Sequence, residues 1–352
     1  MESNNHDIIF SGTKEVAENL KFNESKLQEW MSDCIPESGK ILQVSQFKGG
    51  QSNPTYKIQT EKKSFVLRRK PPGDLLKSAH AVDREYKVIT ALQDTEVPVP
   101  KTYGLCEDRE VIGTEFFMMD FLDGKIYWDL MLADKSPTER RAIYLSKNKV
   151  IAELHKVDYQ AVGLADYGKP GNYVARQVSR WTKQYLASQT EEMAAMNQLI
   201  DWLPNNIPDD DETCIVHGDY RLDNMVFNSN NKVMGVLDWE LSTLGHPIAD
   251  FNYHCISWRN IPQLADEKFC KEYGIPSERE YLEMYSETTG RDLSSNWEFY
   301  YIFNMFKLAG ILQGIIGRVR DGTAASKHAE DRADRVKPLA EEAWSLVEKN
   351  YK

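Results

Sequence analysis

From Asn23 onward the chain changes its hydrophobic rhythm several times. ESKLQEWMSDCI places Leu27, Trp30 and Met31 at helical spacing behind Asn23, a side chain suited to capping, and Pro36 interrupts the run. The period then shortens. ILQVSQFKGG, TYKIQTE and SFVLRRK are short runs rich in β-branched and aromatic residues, separated by Gly-Gly, Asn-Pro and Lys-Lys-Ser, which predicts three consecutive antiparallel strands. AHAVDREYKVITALQ returns to the helical period, with Val82, Tyr86, Ile89 and Leu92 marking one face. TYGLCED and GTEFFMMDFLDG predict two more strands, the second almost continuously apolar and therefore buried on both faces. From Tyr127 the pattern is mainly helical, in ERRAIYLSKNKVIAELHKV, VARQVSRWTKQYLA and MAAMNQLIDWL, with a strand-like interval from CIVHGDY to VMGVLDW. Helical texture resumes near Asp250 and runs to the end. The expected class is α+β: a polar segment over residues 1–22, a β-rich lobe with one inserted helix over 23–121, and a helical lobe with a short β insert over 122–352.

Composition narrows the function more than the fold. A chain of 352 residues is long enough for two lobes, and 41% hydrophobic with 28% charged residues is the balance of a folded protein. The formal charge of −11 argues against general nucleic-acid binding, which needs a basic surface, but leaves room for a nucleotide site with a few local cations. Cys34, Cys106, Cys214, Cys255 and Cys270 form no CxxC pair, so buried free thiols in a reducing compartment are expected. MESNNHDIIFSG lacks a basic region followed by an apolar run. FNMFKLAGILQGIIG, which contains Lys307 and Gln313, is read as a buried helix too short to span a bilayer. These features predict a cytoplasmic protein with no membrane partner. Nothing in them sets the oligomeric state.

The chemistry concentrates in HGDYRLDN, residues 217–224, and VLDWE, residues 236–240. Phosphoryl transfer asks a protein mostly to place charge: a carboxylate near the attacking hydroxyl, and oxygen ligands that hold magnesium against the phosphates. An H-x-D-x-x-x-x-N loop offers a carboxylate and an amide carbonyl five residues apart, and a second Asp after an apolar strand enters from the other arm of a hairpin. Asp219 is therefore assigned as catalytic base or hydroxyl-orienting group, and Asn224 and Asp238 as ligands of Mg2+, which accepts few protein oxygens and keeps its waters. Asp and Asn are also common turn residues. The pairing of the two loops and the apolar strands around them favour the site.

HGDYRLDN with VLDWE resembles the signature of the aminoglycoside-phosphotransferase and choline-kinase superfamily, a relative of the protein-kinase fold, over about Ile41 to Asn350. The resemblance implies a bilobal protein-kinase-like fold, with a small antiparallel β lobe and a larger helical lobe, binding ATP or GTP with Mg2+. Gly218 stands where protein kinases have Arg, Asp238-Trp239 replaces Asp-Phe, and no A-P-E segment follows, which points to a small-molecule acceptor. In FKGGQSNPTYKI, Gly49 and Gly50 would let the backbone approach the phosphates while Ser52 and Asn53 offer donors. The family's phosphate-side cation aligns with Arg68. Lys70 projects from the same face and Arg69 from the other. Glu85 is the implied ion-pair partner of Arg68, the alternative being a solvated helix face. Backbone from Met119 to Leu122 would meet the base, with Met118 and Met119 equally suited to filling a core. The resemblance makes His217 a brace for the catalytic loop and Asp250 its support from beneath, while His155 reads as structural.

GGQSNPTY, FVLRRKPPGDLL, AHAVDREYKV and DWELSTLGHPIADF are similar to the kinase-like domains fused to some acyl-CoA dehydrogenases. That branch implies a 4-hydroxyacyl-CoA acceptor. GRVRDGTAASKHAEDR would then offer Arg318, Arg320 or Lys327 to the phosphorylated carrier, or else is a charged surface. Two alternatives stand beside this reading: an aminoglycoside or amino-alcohol kinase, and a nucleotide-binding pseudokinase or scaffold. The second alternative is normally marked by a missing base or metal ligand, and none is missing.

Overall fold

The computed structural model describes residues 11–49, 53–73, 80–320 and 334–352, so the expectations placed on Gly50, Ser52 and Lys327 lie outside the described residues. The fold is mixed, with a six-stranded antiparallel sheet and a helical C-terminal part. The chain gathers into two compact units. One holds the residues up to Tyr167 with His217–Ser242 and Lys268–Pro276. The other holds Gly168–Val216, Thr243–Glu267 and Ser277–Lys352.

In the first unit, β1 (Thr13–Lys14), α1 (Glu24–Cys34), β2 (Ile41–Phe47), β3 (Thr55–Thr60), β4 (Ser64–Arg69), α2 (Val82–Leu92), β5 (Thr102–Cys106), α3 (Arg109–Ile112) and β6 (Phe116–Asp120) follow in order. The sheet runs β1-β2-β3-β4-β6-β5. The five expected strands and both expected helices are present. β1 and α3 were not foreseen, since two strand residues or a single helical turn carry no period to read. Asn23 caps α1 as anticipated, accepting from the Lys26 backbone N–H at 3.1 Å.

Strand alternation sorts the side chains onto two faces. Ile58, Phe65, Leu67, Phe116 and Met118 join Leu27 and Met31 of α1 in one core, each such buried chain contributing about 1.5–3 kcal/mol. The register Val66↔Met119 and Arg68↔Phe117 puts those four on the opposite face. Helix α2 lies by that face and buries Val82, Glu85, Val88, Ile89 and Leu92. Tyr86 is only half-buried, so the face is rotated towards Glu85 and Val88 relative to the expected one.

Beyond β6 the chain crosses to a hairpin of strands Met225–Phe227 and Val233–Val236. Lys125 and Phe227 exchange backbone hydrogen bonds at 2.8 Å. The approach is close enough that a Cβ on Gly124 would stand 2.5 Å from the Phe227 carbonyl oxygen, and one on Gly235 2.1 Å from Leu122 Cδ1. The hairpin packs on α4 (Pro137–Lys156), which begins with a Ser136–Glu139 capping box.

The second unit is built on helix Trp297–Arg320, packed by helices Tyr173–Ser188, Pro247–Cys255 and Val336–Tyr351. At 24 residues it is long and apolar enough to cross a membrane by length and composition, which corrects the expectation that the segment is too short. The expectation of burial holds: 72% of its apolar window is inside the protein. Apolar side chains surround this helix on all sides, as packing on every face requires. Arg318 and Arg320 sit at its end, where Arg320 Nη1 donates to Gln189 O at 3.4 Å. Asp250 is buried in the first turn of Pro247–Cys255. All five cysteines are free thiols, but Cys34 is exposed, against the expectation of uniform burial.

Candidate active site

The first unit carries Asp219, Asn224 and Asp238 together with Gly49, Asn53, Arg68, Glu85, Met119 and Leu122. His217 is fully buried and links the two arms of the site: Nδ1 accepts from the Asp219 N–H at 3.3 Å, so Nε2 carries the proton it donates to Leu237 O at 2.9 Å. This is the bracing role expected of it. Gly218 has φ +83°, and a Cβ there would stand 2.7 Å from Leu241 O, which explains glycine where a kinase loop has arginine. Asn224 closes a turn over Leu222–Asn224 and precedes the first hairpin strand, while Asp238 follows the second by two residues. The Leu237 N–H donates to Asn224 O at 2.8 Å, holding the two strand ends together. Asn224 Nδ2 donates to Asp219 O at 2.9 Å and lies 3.3 Å from its Oδ2. Asp238 sits at φ 63°, ψ 60°, a left-handed conformation that costs a residue with a Cβ about 1–2 kcal/mol and is tolerated best by Asn and Asp.

Arg68 joins this hairpin to α2. Its Nε donates to Glu85 Oε2 at 2.7 Å and its Nη2 to Asp238 Oδ1 at 2.6 Å, with Glu240 Oε2 at 3.7 Å. Glu85 is 1% exposed, which removes the solvated-face alternative. Burial pushes the Glu85 carboxyl up to about 7 against the pull of Arg68. Burial disfavours the Arg68 charge too, but Glu85, Asp238 and Glu240 outweigh it and hold the guanidinium above its ordinary range. Arg69 faces away, donating to Ile112 O at 3.3 Å. Lys70 pairs with Glu115 and lies 3.8 Å from Asp83, so Arg68 is the cation at this site.

A cavity of about 400 Å³ opens between the sheet face and the hairpin, within this unit. Arg68, Glu85, Asn224 and Asp238 form its charged end, and Val66, Phe117, Met119 and Leu122 its apolar walls, with Gly49 at the β2–β3 connection. Asp219 is outside this lining and joins it through Asn224. Met118 belongs to the opposite core. Asn53, read from the sequence as a phosphate donor, has its side chain among other side chains in this structure. Its amide is fully buried, with Nδ2 at 3.4 Å from both Glu85 and Glu240 and Oδ1 at 3.0 Å from His80 Nδ1, so its hydrogen bonds go to side chains behind Arg68. Sequence reasoning missed Glu240, although it stands in the quoted DWE, and missed Asp223 and Phe117 as lining residues, because nothing local says which way a loop or strand residue faces.

A family profile described as "Phosphotransferase enzyme family" matches residues 43–285. The chain belongs to the phosphotransferase enzyme family. It is 41% identical over 344 residues to the Mus musculus "Acyl-CoA dehydrogenase family member 10", a match covering 96% of this chain and 32% of that protein. The curated relatives are thus much longer, and this chain spans about a third to under half of their length. Among solved structures, a protein of Ralstonia eutropha JMP134 described as a candidate aminoglycoside phosphotransferase is 49% identical, with TM-score 0.86 over 94% of this chain and 99% of its own. An aminoglycoside phosphotransferase solved with ADP and hygromycin B, 12% identical, has TM-score 0.59 over 93% and 99% of the two chains and shares the kinase-like fold.

A small-molecule phosphotransferase acting on a hydroxyl needs a proton acceptor and a counter-charge for the phosphates. The donor set suits magnesium. Glu85, Asp238 and Glu240 surround a single guanidinium, leaving net negative charge, and Asp238 and the Asn224 carbonyl are hard oxygen ligands. Among the described residues no group of three or more His, Cys, Asp or Glu could hold a metal by itself. The Asp219 carboxyl is raised above the usual carboxylate range. Burial is the main cause, with Asp223 and Asp238 adding to it and Arg221 and His217 opposing it. Arg221 is held in a fork by Asp223, Nε to Oδ1 at 3.1 Å and Nη2 to Oδ2 at 2.6 Å. If Asp219 is the proton acceptor it must be ionised, and activity is then expected to rise with pH through this raised value. Arg221→Met removes the strongest opposing charge and is expected to move the acid limb of the kcat/KM profile to higher pH. An unmoved limb would assign that limb to another group.

Proposed function

We propose that this phosphotransferase moves the terminal phosphoryl group of a magnesium-bound ATP or GTP to the hydroxyl of a small metabolite. The observation that carries the reading is one connected set of contacts, Asp219–Asn224 on one hairpin arm and Asp238–Arg68–Glu85 on the other, at the charged end of a nucleotide-sized cavity. In this reading Asp219 orients the acceptor hydroxyl and takes its proton. Asn224 and Asp238 hold the metal, which supplies positive charge to the phosphate oxygens. Arg68, fixed by Glu85, meets the inner phosphates, Gly49 lets the β2–β3 connection cover them, and the chain from Met119 to Leu122 receives the base. A buried, pre-oriented guanidinium needs little rearrangement at the moment of reaction. We assign the protein to the cytoplasm, where nucleotide is plentiful and five free thiols stay reduced.

For the acceptor we propose a hydroxyacyl thioester. This chain aligns with about a third of a relative named for acyl-CoA dehydrogenation, and phosphorylating a hydroxyl on an acyl chain turns it into a leaving group. A second reading, an aminoglycoside or amino-alcohol acceptor, is favoured by the description of the Ralstonia eutropha structure. A nucleotide-consumption screen separates them, run with ATP and GTP against 4-hydroxyacyl-CoAs, free hydroxy acids, aminoglycosides and choline-like alcohols. Turnover with the thioesters is the expected result. Turnover confined to aminoglycosides would replace the acceptor, and nucleotide binding with no acceptor at all would favour a scaffold.

A further inference from the structure

The cavity has one wall that the kinase chemistry does not call for. Ser11 and Gly12, immediately before β1, and Trp128, four residues beyond Gly124, line the same space as Met119 and Leu122. Three sets of contacts build this wall. β1 adds to the edge of β2, with Thr13 opposite Phe47 and Lys14 opposite Gln46. Gly12 O accepts from the Lys48 N–H at 3.1 Å, which carries the pairing to the residue next to Gly49. Trp128 Nε1 donates to Ser11 Oγ at 3.3 Å, tying the sheet edge to the chain that follows β6. Phe47 and Phe121, stacked with centroids 6.3 Å apart and planes 20° from parallel, line the cavity beside it. The family profile covers residues 43–285, so Ser11, Gly12 and β1 lie outside the part matched to the family.

The two ends of the cavity are chemically unlike. Arg68, Glu85 and Asp238 form a charged cluster in the lining, while Met119, opposite Val66 two residues along β4 from Arg68, leads to Phe121, Leu122 and Trp128. Phosphates go to cations and metal, so the nucleoside goes to the aromatic end. An indole offers a flat, polarisable face to a base or ribose, and its N–H must find a partner or lose hydrogen-bond energy. Here Ser11 Oγ accepts from that N–H at 3.3 Å, which ties the ring to the chain just before β1, and β1 pairing in turn holds Ser11.

We propose that Trp128, oriented by Ser11, is a nucleoside-binding residue, and that the β1 strand exists in this site to hold that wall in place. The proposal rests on the reading of the cavity as a nucleotide site, and calorimetry of the full chain with two probes, adenosine and Mg·ADP, tests the two separately. Trp128→Ala should weaken both probes by the same factor, about tenfold, because the lost contact is at the end they share. Ser11→Ala and Trp128→Phe should each weaken adenosine by about two- to fivefold, and the double variant by no more than the larger single, since both remove one hydrogen bond. A purely structural role for the wall would lower the melting temperature without changing adenosine affinity in the folded variants. Unchanged adenosine binding in Trp128→Ala, or additive effects of Ser11→Ala and Trp128→Phe, would overturn the proposal. Should Trp128→Ala not fold, the Ser11→Ala and Trp128→Phe pair decides alone. Wild-type protein that binds neither these probes nor guanosine and Mg·GDP would instead remove the nucleotide site itself.

Discussion

Asp219→Asn is expected to lower turnover by about 10²–10⁴-fold, the usual contribution of a positioned general base, while leaving Mg·AMP-PNP affinity within about threefold of wild type. The asymmetry follows from where the side chain sits. Asn224 Nδ2 makes its shorter bond to the Asp219 main-chain oxygen, 2.9 Å against 3.3 Å to the carboxylate, so the isosteric amide leaves the loop held. The cavity proposed for the nucleotide is lined by Asn224 and Asp238, not by Asp219. What disappears is an anionic oxygen able to take the acceptor's proton. Its raised carboxyl also makes it a stronger base than an ordinary Asp once ionised. Steady-state kinetics with the acceptor found by screening, together with calorimetry, checks both halves. Turnover within threefold of wild type would take Asp219 out of the chemistry.

Arg68→Ala should produce the largest loss of stability, about 3–5 kcal/mol near neutral pH, the range measured when one partner of a buried ion pair is removed. Arg68 is 7% exposed and Glu85 1%, so the abandoned carboxylate cannot turn to water. The loss should depend on pH. Glu85 in the folded protein already titrates near 7, against about 4.3 in an unfolded chain, and removing the guanidinium raises it further. Between those values the folded state holds a proton that the unfolded state has released. Its contribution to stability is therefore fully present below the unfolded value and is lost as pH rises through the folded one. The variant should unfold at lower urea concentration at pH 8 than at pH 6, and adding Glu85→Gln should remove most of that difference. An equal deficit at both pH values would mean that Glu85 is not the group left stranded.

The sheet was legible because each of its longer strands carries its own signal: alternation in TYKIQTE, continuous apolarity in EFFMMDF, and turn residues between them. The same alternation separated Arg68 from Arg69 before any coordinates, and the structure puts them on opposite faces. It could not separate Arg68 from Lys70. That depended on Glu115 and Asp83 lying beside Lys70, a fact about chain segments 13 to 45 residues away. The surroundings of Asn53 were hidden for a similar reason. A loop Asn next to glycines is a reasonable phosphate donor by its neighbours in sequence, but Glu85 and Glu240, 32 and 187 residues distant, take its amide. Trp128 and Ser11 carry no local signal at all, since the hydrogen bond that makes them a wall spans 117 residues.

By itself the sequence determined the class of fold and singled out the candidate centre. Asp219, Asn224 and Asp238 stand within a twenty-residue hairpin, and contacts that short in the chain are written in local spacing and turn geometry. Only the tertiary structure decided how the charges around that centre are shared: one buried guanidinium among three carboxylates, a carboxyl on α2 raised to about 7, the Asn53 amide beside Glu85 and Glu240, and Ser11 and Gly12 lining the same cavity. The physical reason is burial. Desolvation and hydrogen-bond partnership depend on which distant segments exclude water from a group, and no local pattern records that.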